Sequence, residues 1–292
     1  MINILWYYIS ILLLIIIIIS MYILKKLDRE PFINEFSEAS DFERYIHSLN
    51  PIEMYSTKSK YQDISVIKFD KNDIGLDKCL MLGHEIQLCN SSEVKYHETI
   101  VHVAASYIKN LKKVLIIGGG DCMTLREVMK YPSINNVTML ELDKKVIDVS
   151  KKYFNVHDYQ NDPRVNIIIG DATKNIHKLK HKFDLIIIDT TEDSSNNNPI
   201  DTKEFFKLCS DKLNDKGILV KNGEDLRNYI NIHTLFKYTK IIKYDEKIWG
   251  DLDYKFILGS NNINFDKSMK YKHNINIKFY NFNKHDKFIF QT

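Results

Sequence analysis

The stretch VLIIGGGDCMTLREV, residues 114–128, decides the fold. An unbroken aliphatic run enters a cluster of glycines and leaves as a mixed polar segment, which reads as strand, tight turn and helix, the opening unit of a parallel α/β sheet. In such sheets ligands sit beyond the carboxyl ends of the strands, and the first strand-to-helix turn approaches them most closely. A phosphate-binding G-x-G-x-x-G fingerprint would require glycine at position 123, where Met123 stands, and Asp121 would repel a pyrophosphate. Gly118 and Gly120 instead let the backbone approach a ligand without phosphate, and the Asp121 carboxylate suits an ammonium or a sulfonium. The ligand this turn describes is an S-adenosyl compound.

Outward from the loop, short apolar runs recur: VTMLEL at 137–142, VNIII at 165–169, DLIIID at 184–189 and GILVK at 217–221. Continuous β-branched runs are what strands buried on both faces look like, and the segments between them have room for helices. TKIIKY and YKFILGS, 239–244 and 254–260, lie too close together for a crossover helix and are expected to finish the sheet as an antiparallel pair. Before the loop, EVKYHETIVHVAASYIKNL at 93–111 has helical spacing. YQDISVIKF and CLMLGHEIQL, at 61–69 and 79–88, alternate like hairpin strands of a small antiparallel β element.

Acids gather at the strand ends. Glu141, about twenty residues beyond the loop, is placed to accept from ribose hydroxyls. Asp171 in IIGDA ends the third strand, where an acid can accept from an adenine amino group. With Asp121 and Asp189 they put four carboxylates on one rim of the sheet, a concentration of like charge that calls for cationic ligands.

Composition sets outer bounds. The chain has 292 residues, 44% of them hydrophobic, and its 41 basic and 38 acidic residues leave a formal charge of +3 with no concentrated basic footprint, so nucleic acid is excluded as the expected partner. Cys79, Cys89, Cys122 and Cys209 form no CxxC pair; neither a zinc site nor a disulfide framework is expected, and reduced thiols are. Residues 4–24, ILWYYISILLLIIIIISMYIL, are uncharged and long enough to cross a bilayer. Lys25, Lys26 and Arg29 follow at once, so the expectation is a single-pass membrane protein with its C-terminal part in the cytosol. The expected organisation is an anchor at 1–27, a tether at 28–52, a small β domain at 53–92 and a Rossmann-like domain at 93–292.

Read together, SKYQDISV (59–66), EIQL (85–88), YHETIVH (96–102), VLIIGGGD (114–121), TLREV (124–128), ELDKKVIDVSKKYF (141–154), DPRV (162–165), GDA (170–172) and FDLIIIDTTED (183–193) closely resemble the spermidine synthase family of polyamine aminopropyltransferases. IKFYNFNKHDKFIF, 277–290, resembles that family's closing motif. The resemblance implies a Rossmann-like sheet of the class I methyltransferase type, and transfer of a 3-aminopropyl group from decarboxylated S-adenosylmethionine to an amine such as putrescine. Spermidine and methylthioadenosine would be the products. The donor would be a co-substrate, with no resident cofactor and no metal. Carried over by position, Gln62 and Asp121 would hold the aminopropyl arm, Glu141 the ribose and Asp171 the adenine, with Gln87, Tyr96 and His97 lining the same cleft. Asp189 takes the place of the family's catalytic aspartate and would face the attacking amine with Tyr96. Members of the family pair as homodimers, but the sequence marks no interface.

The sequence departs from the family on the amine side and around the sulfur. Cys122 and Met123 replace glycines and are expected to thicken the loop, Gly83 and His84 replace an Asp-Gly turn, Glu192 and Asp193 stand where an aspartate and a proline are usual, and Trp249 replaces a pocket tyrosine. Glu192, Asp193 and Trp249 are the remaining candidates for the amine pocket. Two other readings fit the same fold: a methyltransferase using intact S-adenosylmethionine, and a non-catalytic nucleoside- or polyamine-binding descendant.

Overall fold

The computed structural model of the chain describes residues 46, 48–72, 75–83, 85–191, 198–223, 226–246 and 252–290. The chain divides into two units, Met1–Tyr45 and Ile46–Thr292, and the described residues lie in the second. The expected anchor and all but the end of the tether fall outside the described residues. Among those described, no helix is long and apolar enough to cross a membrane.

Strands β1 (Ile52–Lys58), β2 (Asp63–Lys68), β3 (Lys78–Leu82) and β4 (Glu85–Cys89) form a four-stranded antiparallel sheet in sequential order. β1 escaped the sequence reading because IEMYSTK is an edge strand: Ile52 and Met54 are exposed, so it lacks the apolar alternation that reveals a buried face. Gly83, in the tight β3–β4 turn, has φ +61, a left-handed conformation that costs glycine little. The expectation of reduced cysteines fails here. Cys79 and Cys89 are partners in the β3–β4 register, with Cα atoms 4.0 Å apart, and are joined by a disulfide. Strand pairing sets the distance between these side chains, and the ten-residue separation in sequence conceals it. Cys122 and Cys209 are free thiols, both buried.

The main sheet contains β5 (Lys113–Gly118), β6 (Asn136–Glu141), β7 (Val165–Ile169), β8 (Phe183–Asp189), β9 (Leu213–Asn222), β10 (Tyr238–Glu246) and β11 (Leu252–Ser260), in the order β10-β11-β9-β8-β5-β6-β7. β5 to β9 run parallel to one another, while β11 is antiparallel to both β9 and β10, as the late strand pair predicts. Alternate residues of each central strand enter different cores. Val114, Ile116, Leu185, Ile187 and Val220 pack with Ile100, Val101 and Leu125; Leu115, Ile117, Ile186, Ile188 and Leu219 pack with Phe205, Phe206 and Ile232. Burial of both faces explains why the sequence shows runs and not alternation.

The connecting helices are α1 (Glu93–Glu98), continued by a π-helical turn at Thr99–Val103, α2 (Met123–Met129), α3 (Lys144–Tyr153), α4 (Ala172–Asn175), α5 (Lys203–Asp211) and α6 (Leu226–Leu235). The chain leaves β5 toward β6 on one side and returns to place β8 on the other, so the strand order reverses at the β5/β8 boundary. A crevice at the carboxyl ends of those two strands is where the fold can admit a ligand.

Candidate active site

Gly118, at the end of β5, pairs with Asp189, at the end of β8. The approach is so close that a Cβ at Gly118, whose φ is +81, would lie 2.1 Å from the Asp189 carbonyl oxygen. The next residue, Gly119, donates its N–H to that same oxygen at 2.7 Å. Gly120 passes beneath the Glu141 carboxylate: a Cβ there would meet Glu141 Oε2 at 3.0 Å. The glycines thus bring the loop between the acids ending β6 and β8, as close backbone approach requires.

Asp121 accepts the Met123 N–H at 2.7 Å through Oδ1, capping the start of α2, and turns Oδ2 toward His97 Nε2 at 3.5 Å. Asp189 is buried, 8% exposed, and both of its oxygens are occupied: Tyr96 Oη–H donates to Oδ1 and Thr124 Oγ1–H to Oδ2, each at 2.6 Å. One ligand atom from each of His97, Asp121 and Asp189 lies within 4.8 Å of the others. Burial pushes the Asp189 carboxyl upward and repulsion from Asp121 pushes the same way; His97 and the bonds from Thr124 and Tyr96 oppose both. The net effect is a carboxylate more basic than usual. Glu141 is also buried and is raised to about 7, first by desolvation and then by Asp143, Asp121 and Asp189, although the Asp143 N–H at 2.7 Å partly relieves it.

Three of the four rim acids therefore act on one another, and Asp171 stands apart. It caps α4, accepting from Thr173 N–H at 2.9 Å and Thr173 Oγ1–H at 2.6 Å, near the sheet edge beyond β7. Those bonds hold its carboxyl below the usual range. Gln62 lies in the β1–β2 turn, tied to Ser59 through its backbone, and Gln87 is half-buried on β4. Glu192, Asp193 and Trp249 lie outside the described residues.

The expectation that Cys122 and Met123 thicken the loop is overturned. Both side chains are 1% exposed and turn into the protein: Cys122 joins the core under β5, and Met123 packs with Ile64, Val66, Leu80 and Leu88 of the small sheet and Val146 and Val149 of α3. Cys122 holds φ +63 without being glycine, in a position where its buried side chain offsets the backbone cost. Met123 is a joint between the small sheet and α3, not a constriction of the ligand crevice.

Several participants escaped the sequence reading. Thr124 holds Asp189 from within TLREV. The Tyr96 ring stands edge-on to Tyr254 and Phe256 of β11, with centroids 5.3 and 5.2 Å away, so β11 supplies an aromatic wall. Glu93 contacts His97 Nδ1 through its carbonyl at 2.6 Å and its carboxylate at 3.0 Å, and Arg126 grips that carboxylate with two bonds of 3.0 and 2.8 Å. Asn222 donates to the Thr190 carbonyl oxygen at 2.7 Å, fixing the exit from β8. The only signal available for Glu93 was its helical position one turn before His97, and nothing in the spacing marked Arg126; their meeting depends on α1 packing against α2.

Comparison with known proteins accords with this geometry. The spermine/spermidine synthase domain profile matches residues 93–244, from α1 to β10. A polyamine aminopropyltransferase of Hydrogenobaculum sp. is 37% identical over 195 residues, covering 66% of this chain and 68% of its own. One from Buchnera aphidicola subsp. Acyrthosiphon pisum is 34% identical over 235 residues, covering 77% and 81%. A spermidine synthase crystal structure in complex with the transition state analogue AdoDATO superposes with a TM-score of 0.75 at 28% identity, covering 82% of this chain and 85% of that one. The spermidine synthase of Thermotoga maritima gives 0.74 at 28% identity, with coverage of 82% and 84%. On these matches, which span both the sheet and the acid-lined crevice, the chain belongs to the spermine/spermidine synthase family.

Proposed function

We propose that the chain is an aminopropyltransferase, moving the 3-aminopropyl group of decarboxylated S-adenosylmethionine to putrescine and yielding spermidine and methylthioadenosine. The observation that carries this reading is the mutual approach of Asp121, Asp189 and Glu141 around the glycine loop: two buried acids with a partly exposed third suit a donor with one sulfonium and one ammonium. Intact S-adenosylmethionine would bring its own carboxylate toward the same acids, which disfavours methyl transfer.

In the reaction the neutral amine attacks the carbon bonded to sulfur. The C–N bond forms, the C–S bond breaks, and sulfur departs as a neutral thioether. Sulfonium activates the carbon already, so the protein supplies alignment and a place for the proton. An alkyl amine with a pKa near 10.4 is neutral on the order of one time in a thousand at pH 7. Asp189, made more basic by burial and by Asp121, orients this amine and accepts the proton released as C–N bonding advances. Tyr96 holds Asp189 Oδ1 and borders the amine. Asp121 with Gln62 and His97 receives the aminopropyl arm; Gln87, Gly118 and Gly120 line the donor's path; Glu141 takes the ribose and Asp171 the adenine. Glu192, Asp193 and Trp249 complete the amine side.

Residues 4–24 are proposed to anchor the chain in a membrane as a single pass, the transferase facing the cytosol. What supports this is their uncharged length and the basic residues that follow. Resistance of the full chain to carbonate extraction from membranes, with cytosolic protease access to its C-terminus, is the expected result.

The function is tested with the full chain in detergent, the donor and a panel of diamines. Mass spectrometry should find the propylated amine and methylthioadenosine. Asp189→Asn should still bind the donor and lose turnover; undiminished turnover would remove Asp189 from the mechanism.

A further inference from the structure

His97 is enclosed by charge, and its two nitrogens face different partners. Nδ1 faces the Glu93 carbonyl at 2.6 Å and the Glu93 carboxylate at 3.0 Å. Both oxygens only accept, so Nδ1 carries a proton. Arg126 holds the Glu93 carboxylate by two bonds, and desolvation of Glu93 is outweighed by His97 and Arg126, which keep it ionised with a pKa of about 2. The tautomer is thereby locked, and Nε2 is the nitrogen that faces the crevice. It meets Asp121 Oδ2 at 3.5 Å. A lone pair there would be repelled by the carboxylate, whereas a second proton is attracted. The ring is 2% exposed, and although burial disfavours its charge, Asp121 and Glu93 more than compensate and hold it well above 6.5.

We infer that His97 is a placeholder cation: its Nε2 proton sits beside Asp121 where the donor's ammonium is to be received, and it leaves when that ammonium binds. The inference rests on the function proposed above. An imidazolium and an ammonium sharing Asp121 and Asp189 within the 4.8 Å cluster would repel each other in a poorly solvated site. Loss of the Nε2 proton removes that repulsion and converts Nε2 from donor to acceptor, so it can bond an ammonium hydrogen. Nδ1–H stays with Glu93 throughout. Donor binding is then coupled to release of one proton, and Glu93, braced by Arg126, is the positioning residue that decides which nitrogen gives it up.

Among the described residues, the charged and titratable groups that bear on the ring are Glu93 and Tyr96 on α1, Asp121 in the loop and Asp189 ending β8, with Arg126 on α2 acting through Glu93 and Glu141 ending β6 acting through Asp121 and Asp189. Glu141 and Asp189 are raised in pKa and could also shed protons when a cation arrives. Calorimetry of the full chain at pH 7, in buffers of different ionisation enthalpy, separates these sources. Methylthioadenosine carries the nucleoside without the aminopropyl arm and reports any release from Glu141. Decarboxylated S-adenosylmethionine is expected to release about one proton more per site than methylthioadenosine. In His97→Gln, which keeps a polar side chain of similar reach, that excess should vanish while both ligands still bind. Glu93→Gln should reduce it. Equal proton counts for the two ligands in the wild-type chain, or an excess that persists in His97→Gln, would overturn the assignment. Failure of the wild-type chain to bind either ligand would instead overturn the proposed function, and this inference with it.

Discussion

Replacing Tyr96 by phenylalanine keeps the ring against Tyr254 and Phe256 and deletes one O–H donor from Asp189. That donor lies 2.6 Å from Oδ1 of a buried carboxylate. A hydrogen bond to an ionised group is worth about 1.5–3 kcal/mol, and about 1.36 kcal/mol corresponds to one pKa unit. Losing it destabilises the ionised form and raises the Asp189 pKa further. Below its pKa Asp189 is protonated and cannot take the amine's proton, so the acid limb of the kcat–pH profile should move upward by about 1–2 pH units. Thr124→Val removes the equivalent donor from Oδ2, also at 2.6 Å, and should move the limb in the same direction. Methylthioadenosine release, followed at saturating donor and amine between pH 5 and 10, measures it. An acid limb that stays in place in both variants would refute the role of Asp189 as proton acceptor.

Glu141 carries a pKa of about 7 against an ordinary 4.5, so the folded chain holds this proton more tightly than the unfolded one and loses stability as pH rises from 4.5 through 7. Glu141→Gln should therefore gain up to about 3 kcal/mol above pH 7 and almost nothing at pH 4, while binding methylthioadenosine more weakly; denaturant unfolding at the two pH values checks the sign. Glu98 is fully buried and accepts the backbone N–H groups of Lys278, Phe279 and Tyr280 at 2.7, 2.6 and 2.8 Å, with Lys130 at 3.6 Å. Glu98→Gln should cost roughly 3 kcal/mol, with faster hydrogen exchange at those three amides and little change elsewhere in the sheet. Thiol titration of the denatured, unreduced chain should find two reactive cysteines, and four after reduction. Cys79→Ser should lower stability by about 2–3 kcal/mol, as expected for a loop of this length.

The main sheet was legible because its strands are buried on both faces: their apolar runs survive in sequence with little competition from surface residues. The loop acids were legible for a related reason, since Asp121, Glu141 and Asp189 follow strands whose ends the sequence marks. What it could not provide was contact between distant helices. Glu93 and Arg126 look like ordinary surface charges on two amphipathic segments, and only the packing of α1 on α2 makes them a clamp on His97. The Cys79–Cys89 pair was hidden by a hairpin register, and the fate of Cys122 and Met123 by the direction of their side chains, which no spacing encodes. Asp171 carries the same strand-end signal as the other acids, but the sequence does not show that it caps α4 at the sheet's edge, apart from the three that act on one another.

Whether the acid-lined crevice binds a cationic sulfonium donor and passes its three-carbon arm to an amine is decided by donor labelled with carbon-13 in the aminopropyl chain, incubated with putrescine and the full chain. The label should appear on the amine product in one-to-one ratio with methylthioadenosine. Unlabelled amine and intact donor would contradict it, and so would a methylated amine formed from S-adenosylmethionine in its place.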